Sequence, residues 1–295
     1  MRNWLPKNNK FTAWLLIIIL SFIWGTSYIL IKKGLDGFTA IQVGSARMFF
    51  AFIVVTPLAI KTFKEIPLTK KPLVFFLGLI GNFIPAFLFS VAETQLESSL
   101  TGMVNAVTPV FTLIIGIILF KSEIKIIQIF GVILGLLGTF GITFVSNTGG
   151  LGSFNYYALF VILATLLYSL NANMIKHHFQ NTGSIALTTQ SLFFVGPLAI
   201  IVLFSTDFID RALNIEVNGF SLFSIFILGV VGTAIALILY NKLIRITSPV
   251  FATMVTYLMP SVAIIWGLID GENLFLLHYI GLALVILGVY LTNRK

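Results

Sequence analysis

The 295-residue chain has no cysteine and few charged residues. Without cysteine it has no disulfide framework, no thiolate metal site and no cysteine nucleophile. Charged residues make up 9% of the chain, whereas an average soluble domain has about 25%. So few charges cannot cover a soluble protein of this size, which excludes an ordinary cytosolic enzyme and a disordered chain.

Hydrophobic residues make up 58% of the chain, and the mean hydropathy is +1.04. This composition is typical of a protein whose main solvent is lipid. The net charge of +8 would suggest nucleic acid in a soluble protein, but basic loops on one side of a bilayer explain it better. No nucleic-acid partner is therefore predicted. None of the three histidines lies in the middle of an apolar run, so neither a metal site nor a cofactor is expected.

About 20 apolar residues are needed for one helix to cross a bilayer, and ten stretches qualify. The ten predicted spans are Thr12–Ile31, Thr39–Ile60, Pro72–Val91, Ser99–Phe120, Ile126–Val145, Tyr156–Ile175, Ser184–Phe204, Ser221–Tyr240, Pro249–Ile269 and Leu274–Thr292. Of the 18 basic residues, fourteen lie on the side of the N-terminus, whereas eight of the 10 acidic residues lie on the other side. The positive-inside rule then predicts that both termini of an integral membrane protein with this charge distribution are cytoplasmic.

The two halves of the chain are similar to each other. One constant offset of 151 residues aligns six identical pairs, among them Gly78 with Gly229, Met103 with Met254, Pro109 with Pro260 and Gly116 with Gly267. The pattern predicts a first repeat over residues 1–146, a linker over 147–155 and a second repeat over 156–295. Five spans per repeat is an odd number, so the second copy enters the membrane from the opposite face. The predicted fold is an all-α membrane protein of ten transmembrane helices in two inverted five-helix repeats.

Inverted repeats place a substrate site near the midplane, between the two halves. In span 4, Asn105 and Thr108 share a polar helical face that ends beside Pro109. Hydrogen bonding between helices explains these residues about as well as a cavity does. In span 9, Thr256 occupies the repeat position of Asn105, close to Tyr257 and Pro260. Paired prolines at matching depth suggest matched helix bends.

Further polar and aromatic residues recur in spans 1, 3 and 6. Candidates for the substrate site are Asn82, Tyr168 and Asn171, together with Asn105, Thr108, Thr256 and Tyr257. Candidates for gates or cavity walls are Trp24, Ser27, Tyr28, Arg47, Pro109 and Pro260. Trp24 and Tyr168 lie farther from the span ends than interfacial anchors usually do. Asn82 lies between Gly81 and Pro85, in a segment suited to bending.

Arg47 is the only charged residue well inside a span. A charge there costs about 2.5–3.5 kcal/mol on insertion scales, so it needs a partner or water. It either recognises a substrate carboxylate or caps backbone carbonyls at a bend, and the second role is favoured because no acid lies at similar depth. With no Asp or Glu in the middle of any span, a buried carboxylate relay for protons is not expected. Glu93 and Glu97, at the end of span 3, leave room for coupling through an acid at the mouth. No catalytic constellation is found, so the protein is not expected to be an enzyme.

The chain resembles the EamA-type members of the drug/metabolite transporter superfamily. The motif residues are Trp24, Gly25, Thr26, Ser27, Tyr28, Lys32 and Arg47, then Pro109, Gly116, Glu123, Gly131 and Gly138, which recur as Pro260, Gly267, Glu272, Gly281 and Gly288. The resemblance implies an inner-membrane exporter of amino acids or other small metabolites, with a cavity lined by helices 1, 3, 4, 6, 8 and 9.

We therefore expect a secondary transporter that works by alternating access, with a small-molecule substrate and the lipid bilayer as its partners. A membrane-embedded lipid scramblase or enzyme, and a passive channel, are the alternatives. The sequence does not indicate the substrate, the coupling ion, the direction of transport or the oligomeric state.

Overall fold

The structure is a computed structural model that describes residues 7–121, 125–145, 149–150, 152 and 154–292. The regular structure of these ranges is helical, without β-strands. Within these described ranges, nine segments are long and apolar enough to cross a membrane: Phe11–Leu35, Ala40–Lys61, Leu68–Ala92, Ser98–Phe120, Ile126–Thr143, Ala158–Phe179, Ser184–Phe204, Ile215–Ile246 and Pro249–Ile269. A shorter apolar helix, Leu276–Leu291, follows them. They correspond in order to spans 1 to 10, and those numbers are kept below.

The helices differ from the predicted spans mainly at their ends. The helix of span 1 begins at Lys7 and ends at Leu35, and that of span 8 begins at Ile215, inside a stretch that the sequence indicates as a link. Asp207, Asp210 and Arg211 interrupt the hydropathy before this helix. Asp210 and Arg211 lie in a short helix, Phe208–Leu213, and Asp207 directly precedes it. Glu123 of the repeated motif lies outside the described residues.

Spans 3 and 8 contain π-helical segments at positions related by the repeat. These segments are Leu79–Phe83 and Val230–Ile235. A π-helical turn widens the helix and leaves local carbonyl groups without their usual partners, and it is often found at functional sites. The 151-residue offset that relates the two halves also relates these two irregularities.

Spans 4 and 9 are also interrupted, but at positions that the repeat does not relate. Span 4 consists of Ser98–Asn105 and Thr108–Phe120, and Pro109 lies in the first turn of the second piece. Span 9 consists of Pro249–Ala252 and Val255–Ile269, with Pro260 inside the longer helix. Of the two repeat-related prolines, only Pro109 coincides with a helix break, whereas Pro260 lies inside a continuous helix.

Helices of the two halves pack against each other in reciprocal pairs. Span 2 packs on span 7, span 5 on span 10, span 1 on span 9 and span 4 on span 6. Exchanging the two halves leaves this set of pairs unchanged. Large apolar side chains such as Ile118, Ile201 and Ile269 are exposed on the outside, so the outer surface suits lipid rather than water.

Candidate functional site

A central cavity of about 1050 Å³ lies between the two halves. Ten of the candidate residues line it: Trp24, Ser27, Tyr28, Arg47, Asn82, Asn105, Thr108, Tyr168, Asn171 and Thr256. Spans 2 and 7 contribute as well as the six spans that the family resemblance implies. The cavity therefore brings together residues that are up to 235 positions apart in the chain.

Arg47 is the charged residue in the cavity lining, and its side chain is buried. Its Nε donates a hydrogen bond to Thr233 Oγ1 at 2.7 Å. Within the described part of the chain, it forms no ion pair. The guanidinium is a fork of five N–H donors that suits a carboxylate. Since only Nε has a protein partner here, this fork has donors left for an anion in the cavity.

The two π-helical segments have polar side chains bonded to carbonyl groups at repeat-related positions. Asn171 Nδ2 donates to the Leu77 carbonyl oxygen at 2.9 Å, and Thr233 Oγ1 donates to the Leu228 carbonyl oxygen at 3.0 Å. Leu77 and Leu228 are related by the 151-residue offset. Each irregular segment therefore has a freed carbonyl that a cavity-lining side chain satisfies, and Thr233 also accepts the hydrogen bond from Arg47.

The polar face of span 4 both forms hydrogen bonds between helices and lines the cavity, which are the two roles that the sequence leaves open. Asn105 Nδ2 donates to Tyr28 Oη at 2.7 Å, and both residues line the cavity. Thr108 Oγ1 donates to the Asn105 carbonyl oxygen at 2.6 Å, while Ser169 Oγ donates to the Thr108 carbonyl oxygen at 3.0 Å. This face therefore joins span 4 to span 6 and also presents Asn105 to the cavity.

Aromatic side chains form much of the remaining wall. Trp24 Nε1 donates to the Gly232 carbonyl oxygen at 2.9 Å, and the Trp24 ring packs edge-on against Tyr240 with centroids 4.9 Å apart. Tyr168 stacks on Phe89 at 5.8 Å. These rings are fixed by protein contacts, so they form walls of defined shape around Arg47.

Three candidate residues lie outside the cavity lining. Tyr257 Oη donates to the Val289 carbonyl oxygen at 2.7 Å, so this side chain joins span 9 to span 10. Pro109 and Pro260 are buried in their helices and do not line the cavity.

Sequence reasoning missed a polar group on spans 7 and 8. Thr188 and Ser191 line the cavity one helical turn apart, and Asn241 Nδ2 donates to Thr188 Oγ1 at 2.7 Å. The three-residue spacing of Thr188 and Ser191 was the available signal. This signal is weak, because Thr189 and Gln190 lie between these two residues and polar side chains therefore occupy every face of that helical turn.

An ionic cluster, which we call the Lys32 cluster, lies at one end of the helix bundle and consists of Lys32, Lys33, Glu97, Asp270 and Glu272. Lys32 Nζ lies 2.9 Å from Glu97 Oε2, 3.0 Å from Asp270 Oδ2 and 2.9 Å from Glu272 Oε1, and Lys33 pairs with Asp270. The cluster joins the end of span 1, the start of span 4 and the end of span 9.

Glu272 is the most buried member of the Lys32 cluster. Its carboxylate accepts hydrogen bonds from the backbone N–H groups of Ser98 and Ser99 at 2.9 and 3.0 Å, and from both hydroxyls. These N–H groups begin the helix of span 4, where the helix dipole favours an anion. Burial opposes ionisation, but the Ser98, Ser99 and Lys32 hydrogen bonds outweigh it and hold the pKa of the Glu272 carboxyl below its usual value.

The cavity continues toward the opposite end of the bundle. A smaller cavity of about 220 Å³ shares Ile175, Leu187 and Asn241 with the central one and continues to Lys176 and Arg245. Lys176 aligns with Lys32 between the repeats, but its Nζ donates to the backbone carbonyls of Thr247 and Arg245, at 2.8 and 3.4 Å, instead of to an acid. The helix ends are therefore joined by ion pairs at the Lys32 end, whereas Lys176 has no ion pair among the described residues.

Among the described residues, no group of three or more His, Asp or Glu side chains is arranged to hold a metal ion. The buried polar groups of the cavity are instead neutral amides and hydroxyls, together with Arg47.

Comparison with known proteins gives consistent matches across the chain. The model of the EamA-like transporter family matches residues 11–144 and again residues 155–294. The uncharacterized inner membrane transporter YedA of Escherichia coli (strain K12) is 23% identical over 280 residues, which cover 94% of this chain and 89% of YedA. An uncharacterized transporter of Archaeoglobus fulgidus is 24% identical over 287 residues, covering 96% and 99% of the two chains. A solved crystal structure has the same fold, with a TM-score of 0.66 and 14% identity over 95% of this chain and 96% of the other.

Proposed function

Because the chain belongs to the EamA-like transporter family, we propose that it is a secondary transporter that exports small carboxylate-bearing metabolites, such as amino acids, by alternating access. The observation that carries the proposal is the cavity between the halves, in which Arg47 is a buried cation without an ion pair among the described residues. A carboxylate would supply the missing counterion. The neutral amides and hydroxyls around it would bind the remainder of a polar zwitterion.

Several finer features belong to the same proposal. The two repeats are inverted, both termini lie in the cytoplasm, and the membrane is the bacterial inner membrane. In this topology the Lys32 cluster is on the outer side, and the Lys176 end faces the cytoplasm. The basic residues at the ends of spans 2, 6 and 8 support this orientation. A carrier open to the cytoplasm presents its cavity to the metabolites that an exporter removes.

Counterflow in proteoliposomes tests the proposal. Vesicles are loaded with one unlabelled amino acid and supplied outside with the same amino acid carrying a radioactive label. Each amino acid is paired with the amine that lacks its carboxylate, for example phenylalanine with phenethylamine and leucine with isoamylamine. We expect transient accumulation of labelled amino acids and none of the amines, because only the acids can pair with Arg47.

The outcomes also separate the alternatives. A passive channel would equilibrate the label without an overshoot. A scramblase would move fluorescent phospholipids between leaflets in the same vesicles and leave the amino acids outside. Equal counterflow of acids and amines would contradict recognition of the carboxylate, and no counterflow across the panel would contradict the proposed substrates.

A further inference from the structure

Glu93 is a buried carboxyl that the proposed transport path does not use. It is the first residue after the helix Ile84–Ala92 and is 6% exposed. Neither of its side-chain oxygens has a hydrogen-bond partner in the described part of the molecule. Buried polar groups almost always have partners, so such an exception needs an explanation.

The charged and titratable groups that face Glu93 come from three directions. They are Tyr28 and Lys32 on span 1, Arg47 on span 2 and Glu272 after span 9. Lys32 is held by three other acids, and Arg47 donates to Thr233. Both cations influence Glu93 from a distance, but neither forms an ion pair with it among the described residues.

An unpaired carboxylate in such a place is costly, and a group in this position usually takes up a proton instead. Burial is the main cause that raises the pKa of the Glu93 carboxyl well above its usual value, and the negative charge of Glu272 raises it further. Lys32 and Arg47 act in the opposite direction. Burial without a hydrogen-bond partner therefore favours the neutral, protonated form of this carboxyl.

The position of Glu93 connects the two functional regions of the structure. Phe89, one helical turn before it, lines the central cavity, and Glu97, four residues after it in the non-helical link, pairs with Lys32 in the Lys32 cluster. Opening the Lys32 end would separate spans 1, 4 and 9 and admit water to the region around Glu93. A carboxyl at this point can exchange its proton with water in one conformation and hold it in the other.

We propose that Glu93 is a proton-binding site and that opening of the Lys32 end is coupled to proton exchange on its carboxyl. The carboxyl releases its proton to water when that end is open and takes one up before the end closes, so no further reactant is needed. As a coupling device the inference rests on the proposed function, but proton binding can be measured without any transported metabolite.

The first experiment uses protons as the only probe. Proteoliposomes on a solid-supported membrane are exposed to a pH jump without substrate, and the transient current is recorded. We expect a current for the wild-type chain that Glu93→Gln reduces to the level of empty liposomes. Glu93→Asp keeps an ionisable group and retains a current, which distinguishes loss of the proton from loss of the fold. Glu65→Gln is the control, because Glu65 is exposed and distant from this site.

The second experiment measures unfolding midpoints of the purified chain against pH. A carboxyl whose pKa is raised by folding stabilises the native state least at high pH, because the unfolded chain then releases the proton more easily. Stability should therefore decline as pH rises through the native pKa in the wild type and decline less in Glu93→Gln. The midpoint of the variant relative to the wild type should rise with pH, while that of Glu65→Gln should not.

The outcomes distinguish the two proposals. Equal currents in the wild type and in Glu93→Gln, no wild-type current, or midpoint differences that do not change with pH would each overturn the proton site. Amino acid counterflow without a Glu93-dependent current would support the proposed transporter and contradict its coupling to proton exchange. A Glu93-dependent current without counterflow of any amino acid would support the proton site and contradict the proposed substrates.

Discussion

In the proposed function, Arg47 is the group that binds the substrate carboxylate, because it supplies the cationic charge of the lining. An unpaired guanidinium inside a membrane protein is costly. The hydrogen bond to Thr233 offsets part of that cost, and Thr233 is itself bonded to the π-helical segment of span 8. Through Thr233, the proposed binding of a carboxylate by Arg47 is therefore linked to the irregular backbone of span 8.

Replacing Arg47 with Gln should weaken binding of carboxylates about 10- to 150-fold, because a hydrogen bond to a charged group contributes about 1.5–3 kcal/mol. Arg47→Lys should keep the charge but lose the planar fork, so its affinity for carboxylates should lie between those of the wild type and of Arg47→Gln. The measurement is the half-saturating concentration of amino acids in counterflow.

Arg211→Gln is the matched control, since Arg211 is an exposed arginine paired with Asp207 outside the cavity. It should leave half-saturation unchanged. If Arg47→Gln also leaves half-saturation unchanged, Arg47 has a structural role through Thr233. The sequence alone also favours a structural cation, but one that caps backbone carbonyls.

The sequence indicates many of the residues around the cavity but not how each side chain is used. The spacing of Asn105 and Thr108 identifies the face of span 4, and that face does reach Tyr28. Tyr257 has the same kind of signal, yet its hydroxyl bonds to Val289. Periodicity defines a helix face, whereas the neighbour that covers this face depends on tertiary packing. Thr188 was missed for the same reason.

Spans 5 and 10 pack closely because the glycines at their interface have no side chains to keep the two backbones apart. A Cβ atom at Gly138 would lie 2.6 Å from the Gly281 carbonyl oxygen, and one at Gly288 would lie 2.6 Å from the Gly131 carbonyl oxygen. Backbones this close gain packing and weak hydrogen bonds that lipid cannot replace. The recurrence of these glycines in both repeats predicts close packing, but only the structure identifies the two helices as partners.

Gly288→Ala should destabilise the protein by about 1–3 kcal/mol, the usual cost of overpacking, because rigid backbone faces the added methyl group. Gly141→Ala is the matched substitution on span 5, where nothing lies within 4 Å of the added atom. It should be neutral or stabilising by up to about 1 kcal/mol, since alanine favours a helix. Unfolding midpoints in detergent compare the two variants.

Equal midpoints for Gly288→Ala and Gly141→Ala would contradict the close approach of spans 5 and 10.

Helix interruptions are harder to predict from the sequence than this close packing. Gly81, Asn82 and Pro85 mark span 3 as a segment that bends, and a π-helical segment is present there. Pro260, by contrast, lies in an unbroken helix. A proline removes one hydrogen bond, and whether the helix then breaks depends on the packing around it.

At the scale of the whole molecule, the two ends of the bundle differ in how they are held. The Lys32 cluster joins spans 1, 4 and 9, whereas Lys176 at the other end donates only to backbone carbonyls. Because folding depresses the pKa values of Asp270 and Glu272, their contribution is present above their unfolded pKa values and is lost as pH falls through the lower native values. Strong acidification should therefore weaken this closure.

Glu272→Gln should shift the molecule toward a state that is open at the Lys32 end, because the amide loses the charge that binds Lys32 and the start of span 4. The chain has no cysteine, so Ser27→Cys places a single thiol on the cavity wall. Labelling by a membrane-impermeant maleimide from the Lys32 side should accelerate about tenfold or more, as expected for a loss of about 1.5–3 kcal/mol.

Alternating access predicts a second effect of Glu272→Gln. This effect distinguishes a shift between two conformations from general destabilisation of the helix bundle. If the ends open in turn, Ser27→Cys should become less accessible from the Lys176 side as it becomes more accessible from the Lys32 side. Glu216→Gln is the control, since Glu216 is an exposed acid outside the Lys32 cluster, and it should change neither rate. Faster labelling from both sides would indicate a destabilised bundle, and unchanged rates would mean that Glu272 does not hold this end closed.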